Sequence, residues 1–183
     1  KNSDQSWGTF MDGSLQEQWD PYLQEYREYE YLPVGKDNFK NFIENAYVTN
    51  NSLSLAYKGK KTSVRSSVNW TETKGLYPNS KYDKYSFSLA GDINLDKFKL
   101  TASTSYHKQQ SDNIGFNGYT SYDPMYTLLI WTAADYDVRD YKDNYWMVPD
   151  VSQNFTYHST HNNPYYDRNE RTKGVNRDIF NAA

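Results

Sequence analysis

Lys84-Tyr-Ser-Phe-Ser-Leu-Ala-Gly-Asp-Ile-Asn-Leu95, then Asp96-Lys97, then Phe98-Lys-Leu-Thr-Ala-Ser-Thr-Ser-Tyr-His107 is the stretch that decides the fold. Tyr85, Phe87, Leu89, Gly91, Ile93 and Leu95 alternate with Lys84, Ser86, Ser88, Ala90, Asp92 and Asn94. After the tight Asn94-Leu-Asp-Lys97 turn, Phe98, Leu100, Ala102, Thr104 and Tyr106 alternate with Lys99, Thr101, Ser103, Ser105 and His107. Side chains of a strand point alternately to opposite faces, so a period of two predicts paired antiparallel strands with one apolar and one polar face.

Upstream, the same period organises two more strands. Leu53, Leu55 and Tyr57 alternate with Ser52, Ser54, Ala56 and Lys58; Val64, Val68 and Trp70 alternate with Ser63, Arg65, Ser67, Asn69 and Thr71. Before Asn51 the period is 3.6: Asp37 is placed to cap a short amphipathic helix whose Phe39, Phe42, Ile43 and Ala46 recur at i, i+3, i+4 and i+7. Lys1 to Leu32, broken by Gly8, Gly13 and Pro21 and ending in the acidic aromatic run Tyr22 to Tyr31, reads as an ordered surface loop. Downstream, Ser111 to Lys173 sustains no strand period, and Val175 to Ala183 begins a fifth strand.

The connections alternate short and long: Lys58-Gly-Lys-Lys61, then Lys74 to Lys81, then Asn94 to Lys97, then Ser111 to Lys173. A compact soluble domain seldom carries so long a loop, whereas an outer-membrane barrel has tight periplasmic turns and large extracellular loops. Aromatic placement agrees with a barrel: Tyr57 and Phe98 adjoin the short turns, Trp70, Tyr85 and Tyr106 adjoin the long loops, and aliphatic residues fall between. The competing reading is a one-sided soluble sheet with cross-strand aromatic pairs.

Composition narrows the classes further. In 183 residues, 37% are hydrophobic and 17% aromatic, so nearly half of the apolar side is rings; this richness in aromatics, with a net charge of only -3, separates the chain from disordered sequences. Near-neutral charge with a pI of about 5.6 lacks the footprint of a nucleic-acid binder. With no cysteine there is no disulfide scaffold, thiolate metal site or cysteine nucleophile. The longest apolar run, Met125 to Trp131 with Thr127 inside it, is far below the roughly 20 residues of a membrane helix. A mean hydropathy of -1.00 does not exclude barrel strands, whose two faces average out. A start at Lys1, without initiator Met or signal peptide, is expected of a processed or partial polypeptide.

Several phrases, in order along nearly the whole chain, resemble one family, the SusC/RagA-type TonB-dependent transporters of the Bacteroidetes outer membrane. Ser6-Trp-Gly-Thr-Phe-Met-Asp-Gly13 resembles the family's Ser-aromatic-Gly-Pro-x-Met/Phe-Asp-Gly, with Thr9 where Pro is usual. Asp37-Asn-Phe-Lys-Asn-Phe-Ile43 is similar to its Asn-Val-Lys-Asp-Phe-Phe helix, and Asn50-Asn-Ser-Leu-Ser-Leu55 to its first-half barrel strand. Lys74-Gly-Leu-Tyr-Pro-Asn-Ser80 resembles its Lys-Gly-x-x-Pro-Asn-Ser/Thr loop; Asp123-Pro-Met-Tyr-Thr-Leu-Leu129 and Asn162-Asn-Pro-Tyr-Tyr166 resemble two further loop phrases.

The resemblance implies an all-β fold, part of a 22-stranded antiparallel transmembrane barrel closed by a plug. It implies an importer of glycans or peptides in the outer membrane of a Gram-negative bacterium, with a SusD-like surface lipoprotein and the TonB complex as partners. Plug, TonB box and most strands have no counterpart here. On this reading residues 1–46 are an extracellular loop with a short helix, 47–110 four barrel strands, 111–173 a long extracellular loop and 174–183 the start of a fifth strand. Leu53, Leu55, Val64, Val68, Phe87, Leu89, Phe98 and Leu100 would face outer-membrane lipid, and Arg65, Ser67, Ser88, Lys99 and Ser103 the lumen.

Candidate chemistry is sparse. His158-x-x-His161 with Asp167 has loosely metal-like spacing but no fixed third ligand; Asp135, Asp137, Asp140 and Asp143 imitate a calcium loop, except that Asp140 stands where Gly is required and no closing Glu follows. Carboxylate pairs such as Glu25 with Glu30, or Asp135 with Asp137, are expected by chance among 23 acidic residues. No nucleophile elbow, phosphate loop or zinc-protease helix is present. The expectation is therefore a non-enzyme without metal or cofactor. Loop aromatics interleaved with amides and acids suit stacking and hydrogen bonding to a sugar or peptide: Trp19, Tyr22, Trp131, Tyr141, Tyr145 and Trp146 are the candidate substrate or partner contacts. The alternative function is a soluble antiparallel β module that binds carbohydrate.

Overall fold

The computed structural model describes residues 8–116, 118–120, 122–156 and 161–183. In chain order its elements are β1 (Leu15–Asp20), β2 (Glu25–Glu30), α1 (Asn38–Phe42), β3 (Tyr47–Lys58), β4 (Thr62–Lys74), β5 (Lys81–Leu95), β6 (Phe98–Ser111), the turn α2 (Pro124–Tyr126) continuing as a π-helical turn (Thr127–Trp131), a 3-10 turn (Val138–Tyr141), β7 (Trp146–Val148), β8 (Ser152–Gln153), α3 (Pro164–Asn169) and β9 (Val175–Ala182). The chain is mostly antiparallel β-sheet, 46% strand against 14% helix, which sets the class as all-β; its sheets are open and do not close into a barrel. No helix among the described residues is long and apolar enough to cross a membrane, which says nothing of crossing by strands.

The chain divides into two compact units. A sheet unit comprises Asn45–Leu76, Ser80–Ile114 and Lys173–Ala183; a loop unit is drawn from the chain up to Glu44, from Tyr77–Asn79 and from Gly115–Thr172.

The sheet unit is one five-stranded sheet in the order β3-β4-β5-β6-β9, antiparallel throughout. Its register aligns like with like. Leu53, Val68, Phe87, Tyr106 and Phe180 form one row across the strands, and Tyr57, Val64, Gly91 and Ala102 another. On the opposite face Ser54, Ser67, Ser88, Ser105 and Asn181 stand in one row. Ser67 and Ser88 share a hydroxyl hydrogen bond of 2.6 Å, Asn181 Nδ2 donates to Ser105 Oγ at 3.3 Å, and Ser63 donates to Asp92. A one-residue slip would put the serines among the leucines, so the register follows from the alternation. The tight turns Gly59–Lys61 and Asp96–Lys97 lie at one end, joined by the Lys61–Asp96 ion pair at 2.9 Å; the chain enters β3, passes from β4 to β5 and passes from β6 to β9 at the other.

Strand β3 starts at Tyr47, four residues before the alternation becomes readable, because Thr49, Asn50 and Asn51 are polar on both faces. The helix is shorter than the 3.6 spacing predicts. Asp37 makes no side-chain cap, Ile43 turns extended, and Ala46 lies beyond the helix end. Asn38 does the fastening instead: its Oδ1 accepts from Val138 N and its Nδ2 donates to Tyr136 O, both at 2.9 Å. The first segment is also more than a surface loop. Within it β1 and β2 form a hairpin, with Trp19 opposite Tyr26, turned by Asp20, whose carboxylate accepts from Tyr22 N, Leu23 N and Tyr29 OH.

The buried apolar residues Phe42, Leu128, Val138, Tyr141 and Tyr165 all belong to the loop unit, with Trp19, Ile43, Tyr77, Tyr136 and Tyr145 packed on them. The long segment after β6 therefore has a core, although it is built of short turns and the β7–β8 hairpin rather than long elements.

Candidate functional site

The loop unit is held by amides. Asn163 Oδ1 caps α3 by accepting from Tyr165 N at 2.9 Å, with Pro164 at the first helical position. Its Nδ2 reaches Asn154 O and Tyr141 O at 3.1 and 3.3 Å. Gln153 accepts from Asn163 N and donates to Asn162, and Asn162 Nδ2 donates to Asp167 Oδ1 at 2.9 Å. Asn154 binds Pro21 O and Asn144 O through Nδ2 and receives the Trp19 indole N–H at 2.7 Å. Such groups are inexpensive to bury only when satisfied, and these join four separate chain segments.

Arg168 supplies the second fastening. With a residue exposure of 1%, it donates from Nε to Pro78 O at 2.8 Å and from Nη2 to Asn79 O at 3.1 Å, while Asn79 Nδ2 returns a bond to Arg168 O at 3.0 Å. Asn79 takes a left-handed φ of 53°, which asparagine tolerates. Gly115, at φ +73°, lies so close that a Cβ there would sit 2.1 Å from Arg168 Nη1. Burial pulls the guanidinium below its usual pKa.

A half-exposed aromatic surface accompanies these fastenings. Trp146 meets Tyr166 edge-on at 5.0 Å and Tyr145 at 6.1 Å, and Tyr145 OH donates to Glu170 at 3.2 Å. The Arg171 guanidinium lies 4.2 Å from the Tyr122 ring centre and 5.6 Å from that of Tyr166, and 3.7 Å from the carboxylate of Asp167. Burial pushes Asp167 up to about 7, against the opposing pull of Arg171, Asn162 and Arg168. Asp20 runs the other way: the Tyr29 hydroxyl and the Leu23 N–H hold its carboxyl below the usual range.

The candidate contact residues separate on this geometry. Tyr141 is a correction: it is 2% exposed, T-stacked on Tyr136 at 5.4 Å, and its buried hydroxyl is pushed up in pKa by desolvation, so it is part of the core and presents nothing to a ligand. Trp19 is half-buried and committed to Asn154 and Tyr26. Trp131 is half-buried between Tyr126 and His161, its indole N–H enclosed without a described partner. Tyr22 is exposed and donates to Asp140 at 3.3 Å. Tyr145 and Trp146 lie together on the half-exposed surface. Sequence reasoning missed Tyr122, Tyr166 and Arg171; a cation flanked by aromatics far away in sequence leaves no local signal.

The acidic run is also resolved. Asp137 is spent on Arg139, through both carboxylate oxygens, and caps the 3-10 turn through Arg139 N. His158 lies outside the described residues, and among the described residues no three acidic or histidine side chains gather as a metal site. A comparison with protein-family models finds none that matches the chain, and a comparison with curated proteins finds no match.

Proposed function

We propose that this chain is a wall-and-loop segment of a TonB-dependent outer-membrane importer of the SusC/RagA type. It would contribute five strands to a 22-stranded plugged barrel and work with a SusD-like capping lipoprotein to take up oligosaccharides or peptides. The observation that carries this reading is the uncovered apolar face of the sheet unit. Leu53, Leu55, Val68, Phe87, Leu89, Leu100 and Phe180 all lie on it, each exposed, Leu55 to 68% and Phe98 to 75%. A contiguous apolar surface of this extent has to be covered by something.

Its dimensions suit a bilayer. From Tyr85, in the row with Trp70, to Leu95, opposite Phe98, is ten residue steps along β5; at about 3.4 Å each and a tilt near 40° this spans about 25 Å, the height of the apolar band of a barrel between its aromatic girdles. The other face carries serine hydroxyls, Arg65, Asp92 and Lys99, as a wet lumen requires. The edges also fit a larger sheet, since β3 and β9 each have one neighbour and a lone open edge in lipid would leave backbone groups unpaired. A soluble carbohydrate-binding module would leave the same face in water.

Spin labels test it in the intact protein that carries this chain, in its native membrane. A label at Leu89 should be relaxed by oxygen and a label at Ser88 by a polar reagent. Equal polar accessibility at both, or extraction without detergent, would sink the reading.

A further inference from the structure

We propose that Arg171 anchors a binding site for a carboxylate-bearing ligand on the loop unit, with Tyr122, Tyr166 and Trp146 as its stacking wall. The inference rests on the importer reading for its setting, and it narrows the cargo to oligosaccharides or peptides that carry a free carboxylate.

The guanidinium lies against two tyrosine rings and also hydrogen-bonds the side chains of Tyr122 and Tyr166. It lies 4.2 Å from the centre of Tyr122 and 5.6 Å from that of Tyr166, and the side chain remains 35% exposed. These contacts hold the guanidinium in place, and because it carries five N–H donors, two tyrosine hydroxyls leave donors with which to meet a carboxylate. Trp146, edge-on to Tyr166 at 5.0 Å and half-exposed, extends the aromatic surface on which a sugar ring or a peptide side chain would lie.

The neighbouring acids are spent or restrained. Asp167 is the carboxylate within ion-pair range of Arg171 among the described residues, at 3.7 Å, beyond a direct hydrogen bond. One of its oxygens accepts from Asn162, and the other is enclosed without a described partner, a geometry that favours a protonated carboxyl. Its pKa of about 7, raised by burial, agrees with that geometry. Glu170 is engaged by Tyr145 OH. Asp123, beside Tyr122, accepts from Met125 N and Gly118 N. The other cation facing Asp167 is Arg168, which is committed to the carbonyls of Pro78 and Asn79. The charge of Arg171 is thus left largely uncompensated by the protein below neutral pH, and Asp167 competes for it as pH rises through about 7.

The test uses the intact detergent-solubilised protein and calorimetry at pH 6 and pH 8, with trigalacturonate, its neutral methyl ester, trialanine and trialanine amide. The site predicts that one acid binds, that its neutral counterpart binds at least about tenfold more weakly, and that Arg171→Gln weakens the acid about 10- to 100-fold at pH 6. Trigalacturonate as the binder names an acidic glycan as the cargo, and trialanine names a peptide terminus. Affinity should fall several-fold between pH 6 and pH 8, and Asp167→Asn should flatten that fall. Should Arg171→Gln misfold, Tyr122→Leu at an exposed ring carries the same expectation of weakened binding. Equal affinity for acid and neutral forms, acid binding indifferent to both substitutions, or no binding by either acid overturns the site. These failures are separable from failure of the importer reading, because the Leu89 label reports lipid contact whatever the loop unit binds.

Discussion

The two units bury different things. The loop unit, built of short helices, turns and two hairpins, has every buried apolar side chain among the described residues, from Val138 at 0% exposure to Leu128. The sheet unit has five well-paired strands of 8 to 15 residues and no apolar core of its own. Regular hydrogen bonding and burial are usually obtained together; here one unit has the ladder and the other has the core. The loop unit is organised as a protein in water is, around rings and satisfied amides. The sheet unit pairs the backbone of its inner strands, keeps open edges at β3 and β9, and leaves the side chains of its apolar face exposed, which is the arrangement the proposed barrel wall needs.

Truncating an aromatic ring in the core of the loop unit probes that contrast most strongly. Phe42→Ala removes a ring packed between Tyr77 and Tyr165 at 5.9 and 5.1 Å, and should cost about 3 to 5 kcal/mol. Hydrogen exchange should report lost protection in α1, α3 and the 3-10 turn while the β4–β5 ladder keeps its own. Loss of protection in both units together would show one cooperative structure and break the contrast.

A second effect of similar size is specific to the buried amide network. Asp167 has a folded pKa of about 7 against an ordinary 3.8, raised by burial. The folded state therefore holds a proton that the unfolded chain has released, so stability falls as pH rises from about 4 to about 7 and is level above. The full linkage is on the order of 4 kcal/mol. Proteolysis of the loop unit should accelerate across that window in the wild type and stay flat in Asp167→Asn, which keeps the shape without the titration. An acceleration on going down in pH would contradict the burial of this carboxyl.

Charge placed on the sheet gives the third test. Leu89→Arg on the apolar face should cost about 2 to 4 kcal/mol if that face is near the bilayer midplane, whereas Ser88→Arg, one residue along and on the other face, should cost little. Heat-modifiable mobility of the intact protein on gels reads the folded fraction. Equal effects at the two positions would mean that the faces do not differ in environment.

How much of this was legible in the sequence follows from the same contrast. A strand writes its environment into every second residue, so Tyr85 to Leu95 and Phe98 to Tyr106 could be read directly, and their register with them. The hairpin β1–β2 could not: in Glu25-Tyr-Arg-Glu-Tyr-Glu30 the two tyrosines fall on opposite faces, and pairing depends on the Asp20 turn, a matter of three hydrogen bonds rather than of periodicity. Nor could the state of individual rings be read, since Tyr141 in the core and Tyr145 on the surface have the same side chain four residues apart. Asp37 looked like a cap and is not one, because Asn38 found partners a hundred residues downstream at Val138. Arg171 was one basic residue among 20 until Tyr122 and Tyr166 were seen beside it. Sites assembled from distant segments need the fold before they can be named.

The smallest expected effect separates a wet polar face from a dry one. Ser67 and Ser88 share a hydroxyl hydrogen bond of 2.6 Å across β4 and β5, and Ser105 and Asn181 continue the row. Ser67→Ala deletes one hydroxyl and leaves Ser88 Oγ without that partner. If the face lines a water-filled lumen, water replaces the lost bond and the cost is about 0.5 kcal/mol or less, the scale of one cross-strand pair. If the face is instead packed dry against other protein, the stranded hydroxyl costs about 1 to 3 kcal/mol. Ser67→Val separates the cases further, because a lumen accepts the extra methyl groups and a dry interface does not. A near-neutral result for both, beside a large loss for Leu89→Arg, is what a barrel wall requires; a large loss at Ser67 would turn the sheet over, making its serine face the buried one and removing the case for lipid on the other.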